Sequence, residues 1–444
     1  MDQQKKAVWG WALYDWANSA FATTVMSGFF PIFFKQFWSL GADPQLTTAR
    51  LGLANSAGSL LVALLAPILG AIADRGSLRK HLLILLAYLG VLSTAALYLV
   101  GQGQWGWAVL LYVVGNIGFA GANVFYDSLL PTVASEDRID FVSGLGFSLG
   151  YLGGGLLFGL NVLMTLKPAW FGLADAAMAV RISFLTVALW WGGFTLITIF
   201  WVPRGPAAGG GAADGSMVAA GFKQLAATLK KARHMKTIGL FLAAYWFYID
   251  GVDTIIRMAV DYGITLGFKS SDLILALLIV QFVGFPAALA FGRLGQRWGV
   301  KKAIFLAIGV YMVITAWGMS VTRVYEFYLL AGGIGLVQGG IQALSRSYYS
   351  RLIPAGQSAE YYGFYNLLGK FAVILGPLLM AGVGLWARRL LMPPAATPEQ
   401  VLQVGRLAAR YSLGSVLILF VIGAVLLLLV DEKKGRAQAK ALSE

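Results

Sequence analysis

Seven ionisable side chains stand inside long apolar runs of the sequence: Asp15, Asp127, Asp250, Asp253, Arg257, Arg346 and Lys370. A charge at the centre of a membrane helix costs about 2.5–3.5 kcal/mol on insertion scales, so it normally faces a polar cavity or a partner. Carboxylates so placed hold an ammonium group or carry a proton, and cations hold a carboxylate. Covalent chemistry is a poor match. The chain has no Cys and only two His, His81 and His234, neither at useful depth. Disulfides, Fe–S clusters, thiol nucleophiles and ordinary zinc sites are excluded, and no carboxylate cluster has metal-ligand spacing. Gly150-Tyr-Leu-Gly-Gly-Gly is followed by no Lys-Ser/Thr pair, so it is not a phosphate loop. Neither an enzyme nor a bound cofactor is expected.

Helical spacing collects these residues into stripes. Asp15, Asn18 and Ser19 share one face, as do Asn116, Asn123 and Asp127. Gln338, Gln342 and Arg346 form another, and Asp250, Asp253 and Arg257 a fourth. Such stripes on four helices would make a wet cavity. Blander accounts stand beside this one. Asp253 and Arg257 are placed to neutralise each other as an i, i+4 ion pair. Asp127 and Arg346 lie near span ends, where a gate latch is as good a reading as solute contact. Asn116, Asn123 and Gln281 are also suited to bonding between helices. Lys370 has no carboxylate at i±3 or i±4 and falls near mid-membrane; it pairs across helices, binds an anion or is neutral.

The elements that must hold these residues follow from composition. Of 444 residues, 58% are hydrophobic and 12% charged, with a mean hydropathy of +0.73. A soluble chain carries roughly a quarter charged residues, so most of this surface meets lipid. Twelve spans are expected, near 8–35, 50–73, 82–101, 106–131, 141–166, 181–202, 237–262, 273–293, 303–320, 325–350, 361–386 and 411–430. An even number puts both termini on one side, and the excess of Lys and Arg in the loops of that side makes it cytoplasmic. The net charge of +14 belongs to those loops and not to a nucleic-acid site. The N-terminal run is too long for a signal peptide and contains Asp15. Residues 203–236 read as a cytoplasmic linker, Gly-rich and then basic, with an amphipathic helix over 218–232. It divides the chain into six-span halves, 1–202 and 237–444.

The halves repeat each other. Gly70 and Gly292, Asp74 and Gln296, and Arg75 and Arg297 are each 222 residues apart, and Arg79-Lys80 matches Lys301-Lys302 at the same displacement. Leu129-Leu130-Pro131 matches Leu352-Ile353-Pro354, and Gly144-x5-Gly150 matches Gly363-x5-Gly369. Duplicated halves suggest alternating access around a site between them.

The loop Gly70-x3-Asp74-Arg75-x3-Arg79-Lys80 resembles the signature after the second span of the major facilitator superfamily, with its usual glycine shifted to Gly76. More specific are three segments: Trp11-Ala-Leu-Tyr14-Asp15-Trp16-Ala-Asn18-Ser19-Ala-Phe21, Asn123-Val-Phe-Tyr126-Asp127-Ser-Leu-Leu-Pro131, and Gly363-Phe-Tyr365-Asn366-x3-Lys370-Phe. Together they look like the vacuole effluxer-like branch of that superfamily, over nearly the whole chain. The resemblance implies an all-α membrane fold in which spans one, four, seven and ten line a central cavity. It also implies transport and, from the fungal members, amino-acid efflux. The Arg that many proton antiporters of the superfamily carry in span four is replaced here by Asn116, Asn123 and Asp127.

The expected activity is therefore secondary active or facilitative transport of a small zwitterionic, amino acid-like solute, with proton-linked export. A lipid or amphiphile flippase and an intramembrane enzyme are the competing readings. Candidate solute or coupling residues are Asp15, Asn18, Asn123, Asp127, Tyr151, Asp250, Asp253, Arg257, Gln342, Arg346 and Lys370. Candidate gate residues are Gly70, Asp74, Arg75, Arg79 and Lys80. The expected partners are the solute, a proton and membrane lipid, for a monomer in the cell (inner) membrane.

Overall fold

The computed structural model describes residues 2–41, 50, 61–62, 66, 69–70, 73–74, 78–203, 236–354, 356–371, 375–394 and 397–443. The secondary structure over these residues is helical throughout. Nine of the described helices are long and apolar enough to cross a membrane. Span one is a further crossing: Gln3–Ala20 continues through the wider π-helical turns Phe21–Phe29 and Phe34–Trp38, with Phe30–Phe33 between them. Span eleven is described over Ser358–Phe371 and Leu375–Leu391. Most of span two lies outside the described residues. The fold is the twelve-helix arrangement expected of the sequence, and the protein is a multi-pass membrane protein.

Two aromatic-rich cores hold it together. Trp11, Tyr14, Phe30, Trp38 and Trp191 belong to the first, built almost wholly from residues 7–202. Phe241, Tyr248, Tyr311, Tyr349 and Phe420 belong to the second, built from residues 238–430. Each such ring removes 150–250 Å² from the surroundings and prefers tilted or offset contacts, as in Tyr349 against Tyr362 at 84°. Ala359 alone crosses from its own half of the sequence into the first core.

The repeat is visible in how the halves tie off their last helices. The Lys80 ammonium donates to the carbonyl of Val202, which ends span six. Lys301 donates to the carbonyls of Leu428 and Val430, which end span twelve. In both, a lysine at the start of the third helix of a half satisfies orphan carbonyls at the end of its sixth.

Some boundaries differ from those read off hydropathy. Span twelve begins at Pro398, not near 411, running Pro398–Ser415 and then Leu417–Leu429. Thr397 starts it with a capping box: Gln400 N donates to Thr397 Oγ1 and Thr397 N to Gln400 Oε1. The segment is amphipathic, so apolar-run counting passes over it. A further helix, Glu432–Ser443, follows span twelve; Asp431 accepts its Lys434 amide, which holds the Asp431 carboxyl below the ordinary range. The expected linker helix, over 218–232, lies outside the described residues.

Candidate functional site

Among the described residues a long cross-half seam joins span five, Ile139–Leu166, to span eight, Ser270–Trp298, and it is made by glycine. A Cβ on Gly144 would lie 2.8 Å from the Ala288 carbonyl oxygen, and one on Gly292 would lie 2.9 Å from that of Asp140. No side chain fits there. Further along the seam the ring of Tyr151 enters the C-terminal half: added Cβ atoms would come within 2.8 Å of it from Gly284 and 2.6 Å from Gly339. Tyr151, a candidate solute residue, is thus a wedge between spans eight and ten.

Beside this seam three of the predicted charges meet. Arg346 projects from span ten, Val324–Ser350, and all its nitrogens find N-terminal partners. Its Nη1 donates to Asp127 Oδ1 at 3.0 Å and lies 3.7 Å from Asp15 Oδ2. Its Nε donates to Ser143 Oγ and its Nη2 to the Ser143 carbonyl, each at 2.9 Å. The guanidinium carbon lies 4.8 Å from the ring centre of Trp11, 5.3 Å from that of Tyr126 and 4.4 Å from that of Phe147. Cation–π attraction operates within about 6 Å, so all three rings contribute. Arg346 is 3% exposed, while the side chains of Asp15 and Asp127 keep 13% and 11%.

The carboxylates have other holders. Tyr126 donates its hydroxyl to Asp15 Oδ2 at 2.8 Å, and Asn366 Nδ2 donates to Asp127 Oδ2 at 3.2 Å. Trp11 stacks on Tyr126 with centroids 4.3 Å apart and donates its indole N–H to the Tyr126 carbonyl. Gly146 keeps the floor clear, since a Cβ there would lie 2.7 Å from the Tyr126 hydroxyl and 2.9 Å from Asp15 Oδ2.

At the end of the molecule that bears the termini the halves are also tied. Asp74 Oδ1 and Oδ2 accept the amides of Ala359 and Glu360, in the first turn of span eleven. A carboxylate is favoured at a helix N-terminus. Arg79 Nε donates to Asp74 Oδ1 at 2.6 Å, and its Nη2 donates to the Gly356 carbonyl at 2.6 Å. Gly70 lies so close to Ala359 that a Cβ would collide with that carbonyl. Arg351 pairs with Asp140 at 2.6 Å, Gln296 donates to the Asp137 carbonyl, and Arg436 meets Glu136. Between described residues, the cross-half side-chain bonds run from this end inward as far as Ser148 to Phe285. This end is shut.

The other predicted residues are placed differently. Asn18 donates to Asn123 at 2.6 Å, a bond between spans one and four that uses both amides. Asp250 is fully buried away from the Arg346 cluster, where it accepts the Gly376 amide at 2.9 Å and the Thr254 hydroxyl at 3.1 Å. It answers the Gly376 backbone amide, within Leu375–Leu391. Asp253 and Gln342 are half-buried and Arg257 is exposed. Lys80 anchors span six at the Val202 carbonyl. Arg75 and the side chain of Lys370 lie outside the described residues.

The sequence reading left Trp11, Tyr126, Phe147, Ser143 and Asn366 out of its candidates. Trp11 and Tyr126 each lie within four residues of a chosen carboxylate, the one signal that pointed to them.

A fold of paired six-helix halves closed over an ion cluster is that of the major facilitator superfamily of transporters. The proton:xylose symporter XylE, solved with 6-bromo-6-deoxy-D-glucose, superposes with a TM-score of 0.70 at 14% identity, covering 100% of this chain and 98% of that one. The family model described as "Vacuole effluxer Atg22 like" matches residues 3–384, and the chain belongs to that family. The MFS-type transporter YxiO of Bacillus subtilis (strain 168) is 37% identical over 433 residues, 95% of this chain and 94% of its own length. Autophagy-related protein 22-1 of Penicillium rubens is 24% identical over 577 aligned positions, 99% of this chain and 92% of the relative.

Proposed function

We propose that the chain is a secondary carrier of small zwitterionic, amino acid-like solutes, exporting them across the cell membrane by alternating access with linkage to protons. The observation that carries this reading is the cluster of two partly accessible carboxylates and one guanidinium, to which both halves contribute. A solute ammonium has Asp15 and Asp127 to meet. Its carboxylate has Arg346, or Lys370 by virtue of its depth in span eleven. Asp15 is the proton carrier of choice, because Asp250 is held at the Gly376 amide instead. The carrier works without a cofactor and without enzymatic chemistry, as a monomer with both termini in the cytoplasm. The shut end is then the cytoplasmic one.

Proteoliposomes loaded with unlabelled solute and offered the labelled form, by class, test the reading. Neutral amino acids should exchange and sugars should not, with flux responding to an imposed pH gradient. Thermal melting gives a faster screen, since a ligand of the folded state raises the transition. A panel in which only lipids or sugars stabilise or exchange refutes the solute class and leaves the fold untouched.

A further inference from the structure

The Arg346 cluster is lopsided in a way that says what its cavity is for. Asp15, Asp127, Trp11, Tyr126 and Phe147 all belong to the N-terminal half, and their mutual bonds do not involve Arg346. Tyr126 is fixed to Asp15 at 2.8 Å and to Trp11 through the indole N–H at 2.8 Å. The two rings stack with only 12° between their planes. The N-terminal half therefore presents a preorganised Asp15–Tyr126–Trp11 unit, with Asp127 and the ring of Phe147 completing around Arg346 an enclosure of two carboxylates and three aromatic faces, the composition that recognises an organic cation. The C-terminal half contributes to its interior the guanidinium of Arg346.

We propose that this enclosure is a cation-binding site which Arg346 fills when the terminus-bearing end is shut, and which the ammonium or guanidinium group of the solute fills when the halves part. The inference rests on the carrier reading and deepens it: the solute must carry a positive group, and Arg346 is that group's built-in competitor. The exchange preserves charge. Withdrawing Arg346 alone would leave Asp15 and Asp127 facing each other in a low-dielectric space, which is costly. A solute cation entering as Arg346 leaves keeps the count constant, so loading the site and opening the shut end are coupled. The other polar groups that bond across the halves here, Asn366 on Asp127 and Ser143 on Arg346, are uncharged and do not alter that balance.

The test empties the enclosure and refills it. Purified Arg346→Ala protein is melted in 1–20 mM guanidinium chloride against NaCl of equal ionic strength, with methylammonium as a second probe. Below denaturing concentrations guanidinium should raise the melting temperature saturably in Arg346→Ala, by on the order of 1–2 °C for a chain of this size. It should do nothing to the wild type, whose site is full, nor to Arg346→Ala/Asp127→Asn. Equal responses in all three proteins, or none in any, overturn the proposal and leave Arg346 a structural tie. Should Arg346→Ala not fold, Arg346→Met fills the same space and takes its place. Counterflow supplies a second measurement on protein with Arg346 intact: Asp127→Asn should raise the KM for lysine and arginine at least tenfold, and an unchanged KM overturns the solute assignment. If nothing is transported at all, the carrier reading fails, while the melting result still decides whether the enclosure binds a cation.

Discussion

Asp74→Asn probes the shut end most directly. The carboxylate receives two backbone amides from the first turn of span eleven, at 3.1 and 2.9 Å, and the Arg79 guanidinium. A hydrogen bond to a charged group contributes about 1.5–3 kcal/mol, and the helix dipole adds about 0.3–1 kcal/mol. Asparagine keeps one acceptor and turns an NH2 toward the other donor, so one bond and the charge terms are lost. A net cost of about 2 kcal/mol to the shut conformation shifts the equilibrium about 30-fold, since 1.4 kcal/mol is tenfold. The chain has no Cys, so Ser128→Cys introduces a single thiol. That residue is fully buried, and its carbonyl accepts the Ser358 hydroxyl across the same interface. Its maleimide labelling in nanodiscs should follow the population of the parted state and rise about tenfold or more in the Asp74→Asn background, with expression unchanged. Equal labelling and equal transport rates in a folded Asp74→Asn protein refute the reasoning.

Valine at Gly144 or Gly292 should prevent the seam from closing, because each added Cβ meets backbone that cannot move aside; the same thiol should label rapidly and turnover should fall at least tenfold. Asp250→Asn should lower the melting temperature by a few degrees and leave solute KM within twofold, since its partners are Gly376 and Thr254 and not the solute; a tenfold change in KM with unchanged melting would return Asp250 to the transport path. Lys370→Ala should abolish exchange in a protein that still folds, as expected of a cation near mid-membrane; wild-type affinity in that variant sinks a role in solute binding.

How much was legible in advance differs residue by residue. Asp15, Asp127 and Arg346 announced themselves because a charge in an apolar run needs a reason. Their meeting across 219 residues between Asp127 and Arg346 needed the fold. Asp74 was singled out too, by the loop pattern Gly70-x3-Asp74-Arg75 that holds it. Spacing alone could not say which neighbour a face meets. Asp250 shares a stripe with Asp253, yet its partner is a backbone amide at the start of Leu375–Leu391, and backbone donors leave no mark in the sequence. Tyr126 and Trp11 stood close to Asp127 and Asp15, but in a chain with 14 Trp and 18 Tyr their residue type did not mark them out. Tyr151 was singled out by the sequence, but the glycines of the other half that surround it, Gly284 and Gly339, needed the fold.

That last residue sets the scale of any movement. Tyr151 lies between Gly284 and Gly339 with nothing larger than hydrogen on the facing Cα atoms, so in the alternating access proposed above its ring would be the bearing on which one half tilts against the other. Asp140 is eleven residues away on the same helix, about 16 Å at 1.5 Å per residue. A tilt of only about 10° about the ring sweeps that end through about 3 Å, enough to break the 2.6 Å bond from Arg351 to Asp140. Atoms next to the ring hardly move. In that proposed motion a stiff lever on a smooth bearing would separate the two jobs: the far contacts would open and shut as a set, while the packing at the pivot would be kept.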